Sequence, residues 1–322
     1  MPHSAASGAT LTDHSGFAED VAYYLSLTPR QLPSRYLYDD LGSVLFEAIT
    51  RLPWYRISNA ENHLLSDRAG DILSRMRPLS TIVELGPGSG KKLATLVGGA
   101  DFGAGVTLHL VDVSPTALAA ATNALKDQAD LLVVTHHAPY EVGLAEVTGQ
   151  NNASGRTLAL FLGSNIGNFD PPGADALLSS VRAALADGDA LLLGADLVKP
   201  EPELLLAYDD PLGVTAAFNR NLLVRANREL GADFDVGAFE HSVVWNASES
   251  RIEMHLVSTA KQRVRVPAAG LDVTFEPGET IWTESSHKYH PGEVSEMLGR
   301  AGFRPIAEWV QDAFALTLAE VR

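Results

Sequence analysis

Residues 80–92 read STIVELGPGSGKK, and the fold class turns on that stretch. Its first six residues form a short apolar, β-branched run of the kind that makes a buried strand. The run ends at Glu84 and turns through Gly86, Gly88 and Gly90 into KKLATLVGG, which reads as a helix. Glycines let a backbone approach a ligand closely, and a helix N-terminus offers unsatisfied N–H groups. A dinucleotide fingerprint would need its third glycine at position 91, which is Lys91, and the Walker A spacing is absent too. By itself the loop reads equally well as an ordinary glycine-rich turn.

Working outward, strand-like and helical runs alternate. VTLHLVDV (106–113) is a second strand; a helix follows, with Ser114 placed to cap it and Pro115 at its first position. DLLVVTHH, TLALFLGS and DALLLGADLV supply strands three to five, with the helix ADALLSSVRAALADG between the last two. This alternation predicts an α/β doubly wound parallel sheet, and runs apolar throughout suit strands covered on both faces. The pattern stops near Pro200. AAFNRNLLVRANREL is helical, HSVVWNA, RIEMHLVSTA and QRVRVPA are strand-like, and DVTFEPGETIWTE reads as a hairpin. A helix over PGEVSEMLGRAGF and the strands RPIAEWVQ and FALTLAEV close the chain. The simplest architecture is a nucleotide-type sheet with a large insertion after its fifth strand. The expected division is a mobile tail over 1–15, a substrate-binding part over 16–62 and 200–287, and a cofactor-binding part over 63–199 and 288–322.

Composition narrows the function. The chain has 322 residues, 46% of them hydrophobic, and 40 acids against 24 bases for a net charge of −16. That charge suits no phosphate backbone, so a nucleic-acid partner is not expected. With no Cys there is no disulfide, thiolate–metal site or Cys nucleophile, which fits a reducing cytoplasm. The N-terminus lacks the basic and apolar regions of a secretory signal, and apolar runs such as ALLLGADLV fall short of the roughly 20 residues that span a bilayer. A cytoplasmic protein with no membrane partner is the expectation. His136 and His137 are adjacent and point to opposite faces of a strand, no zinc-type His spacing occurs, and no metal is expected. A G-x-S-x-G elbow is missing as well.

Four further features carry chemistry. Asp112 ends the second strand 26 positions after Gly86 (112 − 86), where an acid can accept ribose hydroxyls. With the loop it favours a bound adenosine cofactor over a mere helix cap. LFLGSNIGNFDP (160–171) follows the fourth strand, so Ser164, Asn165 and Asn168 would lie beyond a strand's carboxyl end, where ligands bind. Asn and Gly are equally common turn formers. Tyr36, Tyr38, Tyr55 and Tyr208 lie in acid-rich surroundings that suit a small zwitterion, although each taken singly reads as packing. In IWTESSHKY (281–289), Glu284 breaks the expected alternation, as a solvated turn acid or as an acid aimed into a pocket.

The G-x-G-x-G spacing resembles motif I of class I S-adenosylmethionine-dependent methyltransferases. LYDDLGSVLFEAITRLPWY (37–55), VELGPGSGKK, FLGSNIGN, LLLGADLVK, AYDDPLGVTAAFNRNLL, RIEM and TESSHKY occur in one order. Together they resemble the histidine Nα-methyltransferases of ergothioneine biosynthesis, which trimethylate L-histidine to hercynine. The likeness runs from about Tyr36 to the C-terminus. It implies a class I Rossmann-like sheet with a second α+β domain, and S-adenosylmethionine contacted by Gly86, Lys92 and Asp112 with Tyr38 nearby. Asn168 and Tyr208 would hold the α-carboxylate and amine, and Tyr55 would sit beside the amine, so that Tyr55 and Asn168 orient it. Met254 would pack on the imidazole, whose nitrogens would bond Glu284 and Ser286. Where the family carries an acid for the adenine amino group, this chain has Ala138 and Pro139, which leaves that contact to the backbone or to stacking by Tyr140. The implied partner is a small amino acid, and the expected state is a monomer. Two readings compete: an Nα-methyltransferase for another aromatic amino acid such as tryptophan, and a non-catalytic adenosine-binding module.

Overall fold

The computed structural model describes residues 15–100, 102, 105–128, 131–150 and 155–322. The expected tail lies outside them except for Ser15, the first residue of a helix. In chain order the N-terminal segment comprises α1 (Ser15–Tyr24), β1 (Arg30–Gln31), α2 (Asp40–Ile49) and α3 (Arg56–Arg75). The alternating region comprises β2 (Leu79–Leu85), α4 (Lys91–Val97), β3 (Thr107–Asp112), α5 (Pro115–Ala124), β4 (Leu132–His137), α6 (Tyr140–Gln150), β5 (Arg156–Phe161), α7 (Pro171–Ala184) and β6 (Ala190–Asp196). Then follow α8 (Glu201–Tyr208), α9 (Val214–Leu230), β7 (Phe239–Asn246), β8 (Arg251–Ser258), β9 (Gln262–Val266), β10 (Leu271–Phe275) and β11 (Thr280–His287). The chain ends in α10 (Glu293–Arg300), β12 (Phe303–Gln311) and β13 (Phe314–Val321).

Seven strands form one sheet in the order β12-β13-β6-β5-β2-β3-β4. The five from β2 to β6 are parallel, and β13 runs antiparallel to both β6 and β12. The chain builds outward from β2 to β4, then crosses back to place β5 on β2's other side. That reversal opens a crevice beyond the carboxyl ends of β2 and β5, the place where open α/β sheets bind ligands. The continuous apolar runs make sense here because both faces are covered. Leu65, Ile72, Leu93 and Leu118 pack one face, and Leu144, Leu178, Val294 and Leu298 the other. Ser114 caps α5 by accepting from the Ala117 N–H at 3.2 Å. Gly90 lets α4 press on α5: at φ 72° a Cβ there would stand 2.5 Å from the Ala121 Cα.

The insertion forms a second sheet in the order β1-β11-β8-β7, with β9 and β10 pairing separately. The hairpin expected over 272–284 is therefore corrected. β10 pairs back onto β9, whereas β11 pairs with β8. The Glu276–Gly278 turn hands the chain from one sheet to the other, and Ser258 bonds the turn from both sides at 2.7 and 2.9 Å. Val273 and Phe275 face a core shared with Phe234 and Phe239, which a local hairpin would have broken.

The N-terminal segment joins the insertion. β1 runs parallel to β11, and the Asp39 carboxylate accepts from Asn221 at 2.7 Å and from Arg228 at 2.6 Å. Helix α3 runs on through residue 62, so the division expected there falls inside one continuous helix. The insertion's two ends meet where Leu197 bridges Tyr289. The Tyr289 N–H donates to the Asp196 carbonyl, and the Val198 N–H to that of Tyr289. One apolar core continues from the sheet face into the insertion through Phe218, Leu222 and Met254.

Candidate active site

At the cofactor end, Gly86, Gly88 and Gly90 have φ of 74°, 52° and 72°, a left-handed conformation that L side chains rarely adopt. The Gly86 N–H donates to the Val111 carbonyl at 2.9 Å, which ties the loop to the end of β3. Asp112 stands there. Burial raises its carboxyl above the usual range, while the N–H groups of Ser114, Val113 and Gly88 pull the other way. The Tyr140 hydroxyl lies 2.9 Å from where a Gly86 Cβ would be, and its ring meets Phe161 edge-on. Ala138 is buried and donates its N–H to the Asp112 carbonyl. A backbone cradle, a buried acid on the neighbouring strand and a covering phenol fit an adenosine cofactor.

Two carboxylates lie beneath the loop. Burial pushes Glu84 up to about 8, with further repulsion from Glu61 and Asp112, and its Oε2 has no hydrogen-bond partner. Glu61, fully buried on α3, accepts from the Gly163 N–H at 2.7 Å and pairs with Lys92 at 2.6 Å. Lys92 is thus held by a residue the sequence reading did not single out. Glu61 sits in NAENHLL, an ordinary helical run, and nothing local marks it as inward-facing.

The other end is built from distant segments. Tyr38, Tyr55, Asn168, Tyr208, Met254, Glu284 and Ser286 all line one cavity, joined by Phe46, Thr215 and Phe218. Tyr38 follows a 3₁₀ turn, Tyr55 precedes α3, Tyr208 ends α8, and Asn168 closes the 3₁₀ turn Asn165–Asn168 after β5. Asn165 lines the same cavity, and its side-chain nitrogen lies 3.1 Å from where a Gly86 Cβ would be, so it joins the two ends. Ser164 is committed to structure, its Oγ accepting from the Asp196 N–H at 2.9 Å. Tyr36 lies elsewhere, stacked on Phe17 and bonded to Asp20.

Glu284's broken alternation has a physical cause. A β-bulge in β11 falls between Trp282, opposite His255, and Glu284, opposite Met254. The extra residue turns Glu284 inward immediately after the inward Thr283. Ser286, two residues on, shares its face. Gly167 lets the Asn165–Asn168 turn press on this strand, since a Cβ there would stand 2.7 Å from the His287 carbonyl oxygen. Burial pushes the Glu284 carboxyl up to about 7, and the charge of Lys288 pulls it the other way. Burial also raises the hydroxyls of Tyr38, Tyr55 and Tyr208 well above the phenol range. Each stays protonated and able to donate.

Behind the wall stands a cluster that the sequence reading passed over. The Lys288 ammonium, fully buried, donates to Tyr208 Oη at 2.7 Å and Ser286 Oγ at 2.8 Å, and lies 3.1 Å from Asp196 Oδ2. Lys199 holds the other Asp196 oxygen at 2.6 Å. The two-residue period Glu284–Ser286–Lys288 was the available signal. Among the described residues, no group of His, Asp and Glu could hold a metal ion, and no helix is long and apolar enough to cross a membrane.

A glycine loop at the switch point of a seven-stranded sheet with one reversed strand defines a class I S-adenosylmethionine-dependent methyltransferase. Within that class, residues 17–321 match the model of the histidine-specific, S-adenosylmethionine-dependent methyltransferases, and the chain belongs to that family. It is 41% identical to a histidine N-alpha-methyltransferase of Mycobacterium tuberculosis over 95% of each chain. A protein of the same name from Mycolicibacterium smegmatis is 41% identical over 93% of each chain. Ergothioneine biosynthesis protein 1 of Schizosaccharomyces pombe is 28% identical, over 88% of this chain and 38% of its own length.

Proposed function

We propose that the protein transfers methyl groups from S-adenosylmethionine to the α-amine of L-histidine, three times in succession, giving hercynine for ergothioneine biosynthesis. The observation that carries this reading is Glu284: a carboxylate turned into the cavity by a bulge, next to Ser286 and opposite Met254. An acceptor beside a hydroxyl, with a thioether packed near, matches an imidazole better than a plain apolar ring. The family and the relatives' names point to the same substrate.

The bound cofactor would supply an electrophilic methyl on a sulfonium. Gly86 and its loop, Asp112 and Tyr140 would hold it, with Lys92 and Tyr38 near. The protein's remaining work is to present an amine lone pair in line with that methyl, which is a matter of proximity and orientation. An ammonium has no lone pair, and a cavity walled by Tyr55, Tyr208, Phe46 and Phe218 disfavours charge, so the amine binds neutral. Asn168 and Tyr55 would take its N–H groups; each transfer releases the demethylated thioether and leaves a cationic amine, which gives one proton to solvent before the next round. Asn168 would also hold the α-carboxylate, and Tyr208 Oη, its proton directed at Ser286, would accept from the amine. Glu284 and Ser286 would anchor the ring throughout, so that the amine turns between rounds while the far end stays fixed.

The test is incubation with S-adenosylmethionine and a panel of amino acids, with products read by mass spectrometry. Trimethylated histidine is expected. Methylation of tryptophan with none of histidine would overturn the substrate assignment, and mono- or dimethylhistidine as the end product would overturn the count.

A further inference from the structure

Lys288 and Asp196 belong to neither set of contacts just described, yet they sit where the insertion's two ends meet and touch two cavity residues at once. An ammonium has three N–H donors and no acceptor. Lys288 donates to Tyr208 Oη and Ser286 Oγ, and its charge is paired with Asp196 Oδ2 at 3.1 Å. Both hydroxyl oxygens therefore spend a lone pair on it. They are also 2.8 Å from each other, so one donates to the other. The phenol is the more acidic hydroxyl, with an ordinary pKa of about 10, and is the natural donor within that pair. Ser286 Oγ then accepts twice, from Lys288 and from Tyr208, and both its lone pairs are filled. Only its proton remains, and Ser286 lines the cavity.

We infer that Lys288, held by Asp196, is a positioning residue that makes Ser286 an obligatory hydrogen-bond donor, so that the Glu284–Ser286 wall reads one ring N–H and one bare ring nitrogen. This deepens the proposed function and rests on its reading of Ser286 as a ring contact. Glu284, when ionised, only accepts, and Ser286, so polarised, only donates. A neutral imidazole presents the complement, one N–H and one lone pair. An indole or pyrrole has the N–H without the lone pair, and a thiazole has the lone pair without the N–H. A site whose polar groups are left unpaired by an analogue rejects it strongly, so discrimination can come from this pair of contacts alone.

The experiment measures KM and kcat for histidine, β-(pyrrol-3-yl)alanine, which keeps the outer ring N–H, and β-(thiazol-4-yl)alanine, which keeps the inner bare nitrogen, with the wild type and with Lys288→Met. In the wild type both analogues should lose at least tenfold in kcat/KM relative to histidine. In Lys288→Met the penalty on the pyrrolyl analogue should fall to within about threefold, because Ser286 regains a free lone pair and no longer insists on an acceptor. The thiazolyl penalty, which reads Glu284, should persist. A merely structural lysine would raise both penalties or neither. Calorimetry with S-adenosylmethionine reports whether the variant is folded, and if it binds none, Lys288→Leu takes its place with the same selective loss expected. Equal kcat/KM for histidine and the pyrrolyl analogue in the wild type overturns the inference, as does an unchanged pyrrolyl penalty in a folded variant. A wild type that methylates no histidine would instead sink the proposed function itself.

Discussion

The glycine loop and the Glu284 wall meet at one cavity but are made of different material. The loop is backbone: three glycines in left-handed conformations, with one acid at the end of the next strand. Its parts lie within about 30 residues, because a βαβ unit brings neighbouring strands together whatever its side chains. The wall is made of side chains. Tyr38, Tyr55, Asn168, Tyr208, Met254 and Glu284 span most of the chain and come together only after a second sheet has formed on the first. Turn chemistry marks the first kind of site, whereas the second depends on which way a few residues point.

If the ends divide the work as proposed, variants should separate them. Glu284→Ala should have the largest effect on catalysis, about 3 kcal/mol or roughly a hundredfold in histidine affinity, since a ring N–H loses a charged acceptor. Calorimetry should find cofactor affinity within about twofold of wild type, and unchanged histidine affinity would break the comparison at once. Asp112→Ala should do the converse and cost roughly tenfold or more in S-adenosylmethionine affinity through lost charged hydrogen bonds. Unchanged cofactor binding would refute that role.

Each end also holds a buried acid that resists ionising, and here the two differ in degree. The folded-state values of about 8 for Glu84 and about 7 for Glu284 lie above the ordinary 4.5. For a raised carboxyl, the stabilising contribution is complete below pH 4.5 and is lost as pH rises through the folded value. Glutamine at either position should therefore raise the melting temperature of the ligand-free protein at pH 9. The gain should be of the order of 3 kcal/mol, larger for Glu84→Gln, and should shrink towards pH 4.5 as the wild-type acids take up protons. A gain independent of pH would contradict the assignment. The smallest effect should come from Ser114→Ala, which removes the α5 cap for about 1 kcal/mol. Thermal unfolding would check it, and histidine affinity should not move.

Much of this was legible beforehand. The five parallel strands, the cap at Ser114 and the insertion after β6 follow from periodicity and turn residues, and they stand as read. The hairpin at 272–284 was misread because two strand-like runs beside a Pro-Gly turn look local, while burial of Phe275 against Phe234 and Phe239 sends them to different partners. Glu61 was invisible because its neighbours in sequence form a plain helix, and its partners Lys92 and Gly163 are distant in sequence.

The sequence by itself determined the class of sheet, the glycine turn and the acid that follows it, because all of these are local rules of backbone conformation and hydrophobic period. It also showed that Glu284 broke its strand's alternation, though not why. Only the tertiary structure decided that the break is a bulge turning the carboxylate inward, and that Lys288 and Asp196 stand behind the same wall. Those outcomes depend on pairing β11 with β8 and on the meeting of residues 196 and 288. Contacts between segments so far apart carry no local signature.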